Sequence, residues 1–129
     1  MRGYKNPYAK PFGRYFPSGG EGRRGAYLLQ QEKAKEIKNL TSNPSIELLP
    51  GINWKLDSSY EEKGIKGVIY EEFKGVMSAE VRLKTALWRY IGPGTLRFIG
   101  ERGTMFYLMK EVIPLGIKQL ICDVKKYRR

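Results

Sequence analysis

The stretch 95-TLRFIGERGTMFYLMKEV-112 decides how the carboxy-terminal half of the chain is read. Its apolar residues, Leu96, Phe98, Ile99, Met105, Phe106, Leu108, Met109 and Val112, suit the period of a helix kinked at Gly100 and Gly103. Met105 to Met109 reads as core. Just upstream, residues 79 to 91 carry Val81, Leu83, Ala86, Leu87, Tyr90 and Ile91, with Ser78 as the cap, Gly92-Pro93 as the stop, and Arg82, Lys84 and Arg89 as exposed cations. Residues 60 to 77 open on Ser59-x-x-Glu62, a capping box, and place Ile65, Val68, Ile69, Phe73, Val76 and Met77 at helical spacing. Gly64, Gly67 and Gly75 each cost that helix up to about 1 kcal/mol relative to alanine. Downstream, Pro114 suits the first turn of a fourth helix with an Ile117, Leu120, Ile121 and Val124 stripe, and Lys125, Lys126, Arg128 and Arg129 complement its carboxyl end. The expected fold class is all-α, with an antiparallel bundle of about four helices over residues 59–129.

Further outward, residues 43–58 read as a crossover that packs Trp54 on the core, either as a short helix with an extended segment or as a small hairpin turning at Pro50-Gly51. Residues 26 to 42 are strong helix formers ended by Asn43-Pro44, with Ala26, Leu29, Ile37 and Leu40 on one side. Before them, Gly20-Glu21-Gly22-Arg23-Arg24-Gly25 satisfies G-x-G-x-x-G, but no strand precedes it, so a dinucleotide site is not implied. The segment reads as a flexible hinge or as a phosphate site at a helix start.

Residues 1 to 25 hold no Leu, Ile or Val, but six cations, one anion, five aromatics, three prolines and six glycines. Prolines at 7, 11 and 17 oppose a helix, so an extended basic arm is expected, able to span about 70 Å when fully stretched. Cations along such an arm neutralise phosphates, while tyrosines pack on sugars or donate to phosphate oxygens. A disordered solubilising tail is the plainer reading of the same residues.

The formal net charge of the 129-residue chain is +11. Both ends are basic, with six cations against one anion over residues 1–25 and fourteen against eight over 58–129, while residues 26–57 carry four of each. A polyanionic partner follows, nucleic acid ahead of an anionic membrane surface. The chain has no histidine and one cysteine, Cys122, which excludes Ser-His and Cys-His chemistry, histidine-ligated metal, cysteine clusters and an intrachain disulfide. No enzyme, cofactor or metal is expected. Glu61-Glu62 and Glu71-Glu72 are neighbours that diverge by about 100° on a helix, and read as a solvated face.

Helical segments behind a Gly-, Pro-, Tyr- and Arg-rich arm resemble the layout of the major coat proteins of filamentous and rod-shaped archaeal viruses, with residues 1–42 as arm and helix, 43–58 as crossover and 59–129 as bundle. The resemblance is one of layout and composition. It implies a virion protein, present in host cytoplasm during assembly, whose subunits dimerise with themselves or a second related coat protein. Their arms wrap linear double-stranded DNA in A form inside a helical filament, and some members add a lipid envelope. By that resemblance Arg2, Lys5, Lys10, Arg14, Arg23 and Arg24, with Tyr4, Tyr8 and Tyr15, line the DNA, and Lys33, Lys35 and Lys38 join them. A cellular nucleic-acid-binding protein, such as a ribosomal or chromatin component, is the alternative.

Overall fold

Gly103 turns the chain at a φ of 60° between β6 (Thr95–Arg102) and β7 (Met105–Val112), so the stretch 95–112 is a hairpin rather than a kinked helix. At Gly100 inside it a Cβ would lie 2.6 Å from the Tyr107 ring packed across the strand pair, so any larger residue there would displace that ring. The computed structural model describes residues 19–73 and 77–127. Upstream of the hairpin the described elements are α1 (Gly19–Lys33), β1 (Ile37–Ser42), β2 (Ser45–Leu49), β3 (Ile52–Lys55), β4 (Ser58–Glu62), β5 (Val68–Phe73) and α2 (Ala79–Ile91); α3 (Ile117–Lys125) follows it. The fold class is therefore mixed α/β, and the expected all-α bundle is corrected.

One sheet runs in the order β1-β4-β5-β6-β7, and β2 with β3 forms a separate two-stranded ribbon. β5 and β6 are parallel, which requires the crossover that α2 supplies; the other neighbours are antiparallel. Trp88 of α2 lies against Trp54, Leu48, Leu56, Leu96, Phe98 and Val112 on one face of the sheet. Leu28 of α1 packs with Ile37, Tyr60 and Ile69 in a second cluster. Trp88 is fully buried and donates its indole N–H to the Gly94 carbonyl at 2.8 Å, so the largest apolar group in the core leaves no orphan donor.

The helical spacing over residues 60–77 arises because β5 is covered on both sides, so its apolar residues do not simply alternate. Ile69, Glu71 and Phe73 are buried, whereas Tyr70 packs on Trp88 from the opposite face. Ser59 is a strand residue rather than a cap, and Gly64 and Gly67 take φ of 82° and 91°, which no α-helix accommodates. The helix expected over 26–42 ends at Lys33: Lys35 adopts a φ of 63°, and Ile37 begins a strand. The G-x-G-x-x-G residues lie inside α1, not in a hinge before it, and Gly22 and Gly25 are buried on it.

Two expectations at helices hold. Ser78 Oγ accepts the Val81 N–H at 3.2 Å to cap α2, and Gly92 closes it. Of the two readings of the crossover the hairpin is realised, with Trp54 buried. α3 docks on α2 through a Tyr90 hydroxyl donating to Asp123 at 2.7 Å, and leaves Ile117, Ile121 and Val124 about half exposed. Met105 is 71 % exposed and Met109 49 %, so that pair is surface, not core.

Candidate active site

Two carboxylates meet where β4 begins and β5 ends. The antiparallel register pairs Ser58 with Glu71, and continued by one residue it sets Asp57 opposite Glu72. Backbone bonds hold both: the Asp57 N–H donates to the Glu71 carbonyl at 3.0 Å, and the Phe73 N–H donates to Asp57 Oδ2 at 2.6 Å. Directly opposed residues in such a pair carry Cβ atoms about 5 Å apart, and like charges there are unfavourable. The pair is relieved by a shared proton. Burial, the Asp57 charge and the Asp57 hydrogen bond, with the Glu21 charge beyond them, push Glu72 up to about 8. At neutral pH Glu72 is thus mainly the protonated partner and donates to Asp57, while the Trp54 indole N–H donates to Glu72 and partly offsets the rise.

Three elements set this site: the β4–β5 ladder aligns the carboxyls, the ribbon delivers Trp54, and the first turn of α1 brings Glu21. Among the described residues no group of three or more His, Cys, Asp and Glu side chains is gathered closely enough to hold a metal ion unaided. Two carboxylates do match the partial protein shell on which Mg²⁺ is usually held, the remaining ligands being water and substrate phosphate oxygens. A pair that must hold a proton when empty is suited to exchanging that proton for a cation.

Glu71, next along β5, has a different task. It points to the other face, is 1 % exposed, and receives both arms of the Arg24 guanidinium, Nε at 2.7 Å and Nη2 at 2.8 Å. The Tyr60 hydroxyl donates to the same carboxylate. Burial and the Glu71 charge push the Tyr60 hydroxyl well above its ordinary range, so it remains a donor. Arg24 also lies 4.9 Å from the Tyr27 ring centre and 5.0 Å from that of Phe106. This is a paired, stacked network that pins α1 to the sheet. The neighbouring glutamates at 71 and 72, read from sequence as one solvated face, are therefore a buried anchor and a candidate ligand on opposite faces of a strand.

The residues expected to contact DNA are distributed differently from that expectation. Arg2, Tyr4, Lys5, Tyr8, Lys10, Arg14 and Tyr15 lie outside the described residues. Arg23 is engaged by Glu101, with Nη2 to Oε1 at 2.6 Å, and Arg24 is engaged by Glu71. Lys33, Lys35 and Lys38 are exposed, and Lys35 and Lys38 border a cleft of about 740 Å³ with Lys63 and Lys66. Neither Asp57 nor Glu21 is a site candidate in the sequence, and Glu72 reads there only as part of a solvated face with Glu71. Their signal was present: Asp57 and Glu72 stand at equal distances from the point between Gly64 and Ile65, as the arms of a hairpin centred there require, but the helical reading separated them.

No family model, no curated protein and no solved structure matches this chain.

Proposed function

We propose that this chain is a divalent-cation-dependent nuclease that hydrolyses the phosphodiester backbone of nucleic acid. The observation that carries the reading is the Asp57–Glu72 carboxyl pair, aligned by the strand register and hydrogen-bonded to each other at the end of the sheet, in a chain of net charge +11. Such a charge attracts polyphosphates, while paired carboxylates supply the one thing a purely basic binding surface lacks, a seat for a cation. A seated cation polarises a phosphoryl oxygen and raises the acidity of bound water.

Asp57, fixed by the Phe73 amide, presents a carboxylate whose position does not depend on its partner. Asp57 and Glu72 are the residues that would hold the cation; Glu72 would have to release its proton to do so, and the Trp54 hydrogen bond would help to orient its carboxylate. Glu21 adds negative field that favours the cation. In the reaction a water oxygen bonds to phosphorus, one P–O ester bond breaks, and the proton lost by water ends on the departing oxygen. The chain has no histidine, and this chemistry would not need one, because a bound cation would supply the acidification of water that an imidazole base otherwise provides. The next cation along the chain from Glu72, Lys74, lies outside the described residues.

The coat-protein resemblance joined a basic arm to a helical bundle; the five-stranded sheet stands where the bundle was expected, and residues 1–18 of the arm lie outside the described residues. The test is incubation of the full chain with single-stranded, duplex and branched DNA in Mg²⁺, in Mn²⁺ and in EDTA. Cleavage is expected with either cation and not in EDTA, with loss of at least about a hundredfold in Asp57→Asn and in Glu72→Gln. No cleavage of any substrate, or full activity in either variant, refutes the proposal.

A further inference from the structure

A groove of about 380 Å³ runs along α2 on its β7 side, lined by Arg82, Arg89 and Lys110 above Thr85, Ala86 and Met77. Tyr90 lines it too and donates its hydroxyl to Asp123 at 2.7 Å, but among the described residues no carboxylate lines the groove itself. We infer that this groove binds the phosphodiester backbone of the nucleic acid that the carboxyl pair would cleave, an inference that takes its choice of polyanion from the nuclease reading.

The groove is a consequence of element order. Arg82 and Arg89 are seven residues apart on α2, two turns and about 10.5 Å, and therefore share a face. Lys110 pairs with Phe98 across the β6–β7 ladder, and Phe98 belongs to the core under α2, so Lys110 rises on the same side of the sheet as the helix. Tyr70 packs on Trp88 of α2, and Glu72, two residues further along β5, lies on that same side. Met77 closes the groove at the end where the chain leaves β5 for α2, which is the end that carries Glu72. The groove and the carboxyl pair thus lie on the same face of the sheet.

Charge distinguishes this surface from the larger one. The cleft of about 740 Å³ near β1 is bordered by Lys35, Lys38, Lys63 and Lys66, but Glu32, Glu36, Glu61 and Glu62 line it too and cancel them. The cations of α2 are not cancelled in that way: the helix's own ion pair, at 2.8 Å, joins Lys84 to Glu80 and leaves Arg82 and Arg89 directed to the groove. The 10.5 Å or so between the two arginines covers about three phosphates of one strand along a duplex axis. Guanidinium groups on a fixed helical face suit phosphate oxygens better than mobile ammonium groups do.

The experiment measures binding without cleavage, in EDTA, of a short fluorescent oligonucleotide as single strand and as duplex. It compares the wild type, the triple variant Arg82→Ala/Arg89→Ala/Lys110→Ala, and the control Lys35→Ala/Lys38→Ala/Lys63→Ala, which removes as much charge from the other cleft. The groove variant is expected to bind at least about tenfold more weakly at 0.1 M salt, with its salt slope lowered by about 2.7 for three phosphate contacts. The control is expected to stay within about threefold of wild type. Equal losses in the two variants, or none in the groove variant, overturn the inference. So does a groove variant that loses binding to phosphatidylserine vesicles while retaining DNA. The side chains removed are solvent-facing, and matching circular dichroism melts establish that the variants fold. Binding that depends on the groove in a protein that cleaves nothing would leave the groove standing and remove the nuclease reading; cleavage with unchanged groove-variant binding would do the reverse.

Discussion

Replacing Glu72 by glutamine is expected to stabilise the protein, and only at high pH. In the folded chain Glu72 keeps its proton up to about 8, whereas its ordinary value is 4.5. Between those two values the native state binds more protons than the unfolded one, so unfolding free energy falls as pH rises, the reverse of the behaviour of a salt-bridged carboxylate. The contribution is intact below the unfolded value and lost once pH has risen through the folded one. At full weight the shift corresponds to about 5 kcal/mol, from 1.36 kcal/mol per unit. Glu72 keeps partial solvent contact, and screening brings the expected loss to about 2–3 kcal/mol. Glutamine preserves a hydrogen-bonding partner for Asp57 but has no proton to release. Urea unfolding in EDTA, followed by circular dichroism at about pH 5 and about pH 9, isolates the effect because the rest of the titration is common to both proteins. The two proteins are expected to agree near pH 5, and Glu72→Gln to exceed wild type by those 2–3 kcal/mol near pH 9. A difference that does not change with pH refutes the shared proton, and with it the argument for a cation seat. Added Mg²⁺ should stabilise wild type more at about pH 8 than at about pH 5.5, since binding releases the proton, and should leave Glu72→Gln almost unaffected.

Arg24→Met removes the partner of a carboxylate that is 1 % exposed, and should cost about 3–5 kcal/mol in a chemical melt, with Arg24→Met/Glu71→Gln recovering much of it. If the single variant loses less than about 1 kcal/mol, Arg24 is not the anchor of α1 described above. Gly100→Ala sets a methyl group 2.6 Å from the Tyr107 ring and should cost about 1–3 kcal/mol, while Gly100→Ala/Tyr107→Ala should cost less than the two single changes added together; simple additivity would show that the two do not touch.

α2 was legible because its signals are local: a serine whose hydroxyl caps the third amide, an apolar face and a Gly-Pro stop. The hairpin at 95–112 was not. Its apolar residues, Leu96, Phe98 and Ile99, then Phe106, Leu108 and Val112, face both sides of the sheet, and the register shift between Phe98 and Ile99 breaks the strand period. The same two-sided burial hid β5, and assigning it to a helix turned Glu71 and Glu72 into ordinary surface charge.

What the chain determined by itself is its strong positive charge, its lack of histidine and of any second cysteine, and the capped helix at 79–91, since each follows from composition or from neighbours within a few residues. Which of its cations remain available, and which of its glutamates meet, only the tertiary structure decided. Arg23 and Arg24 look alike in the sequence as free phosphate ligands, yet each is claimed by a glutamate at least 47 residues away. Asp57 and Glu72 become a site only through antiparallel pairing, which joins residues by register rather than by proximity along the chain.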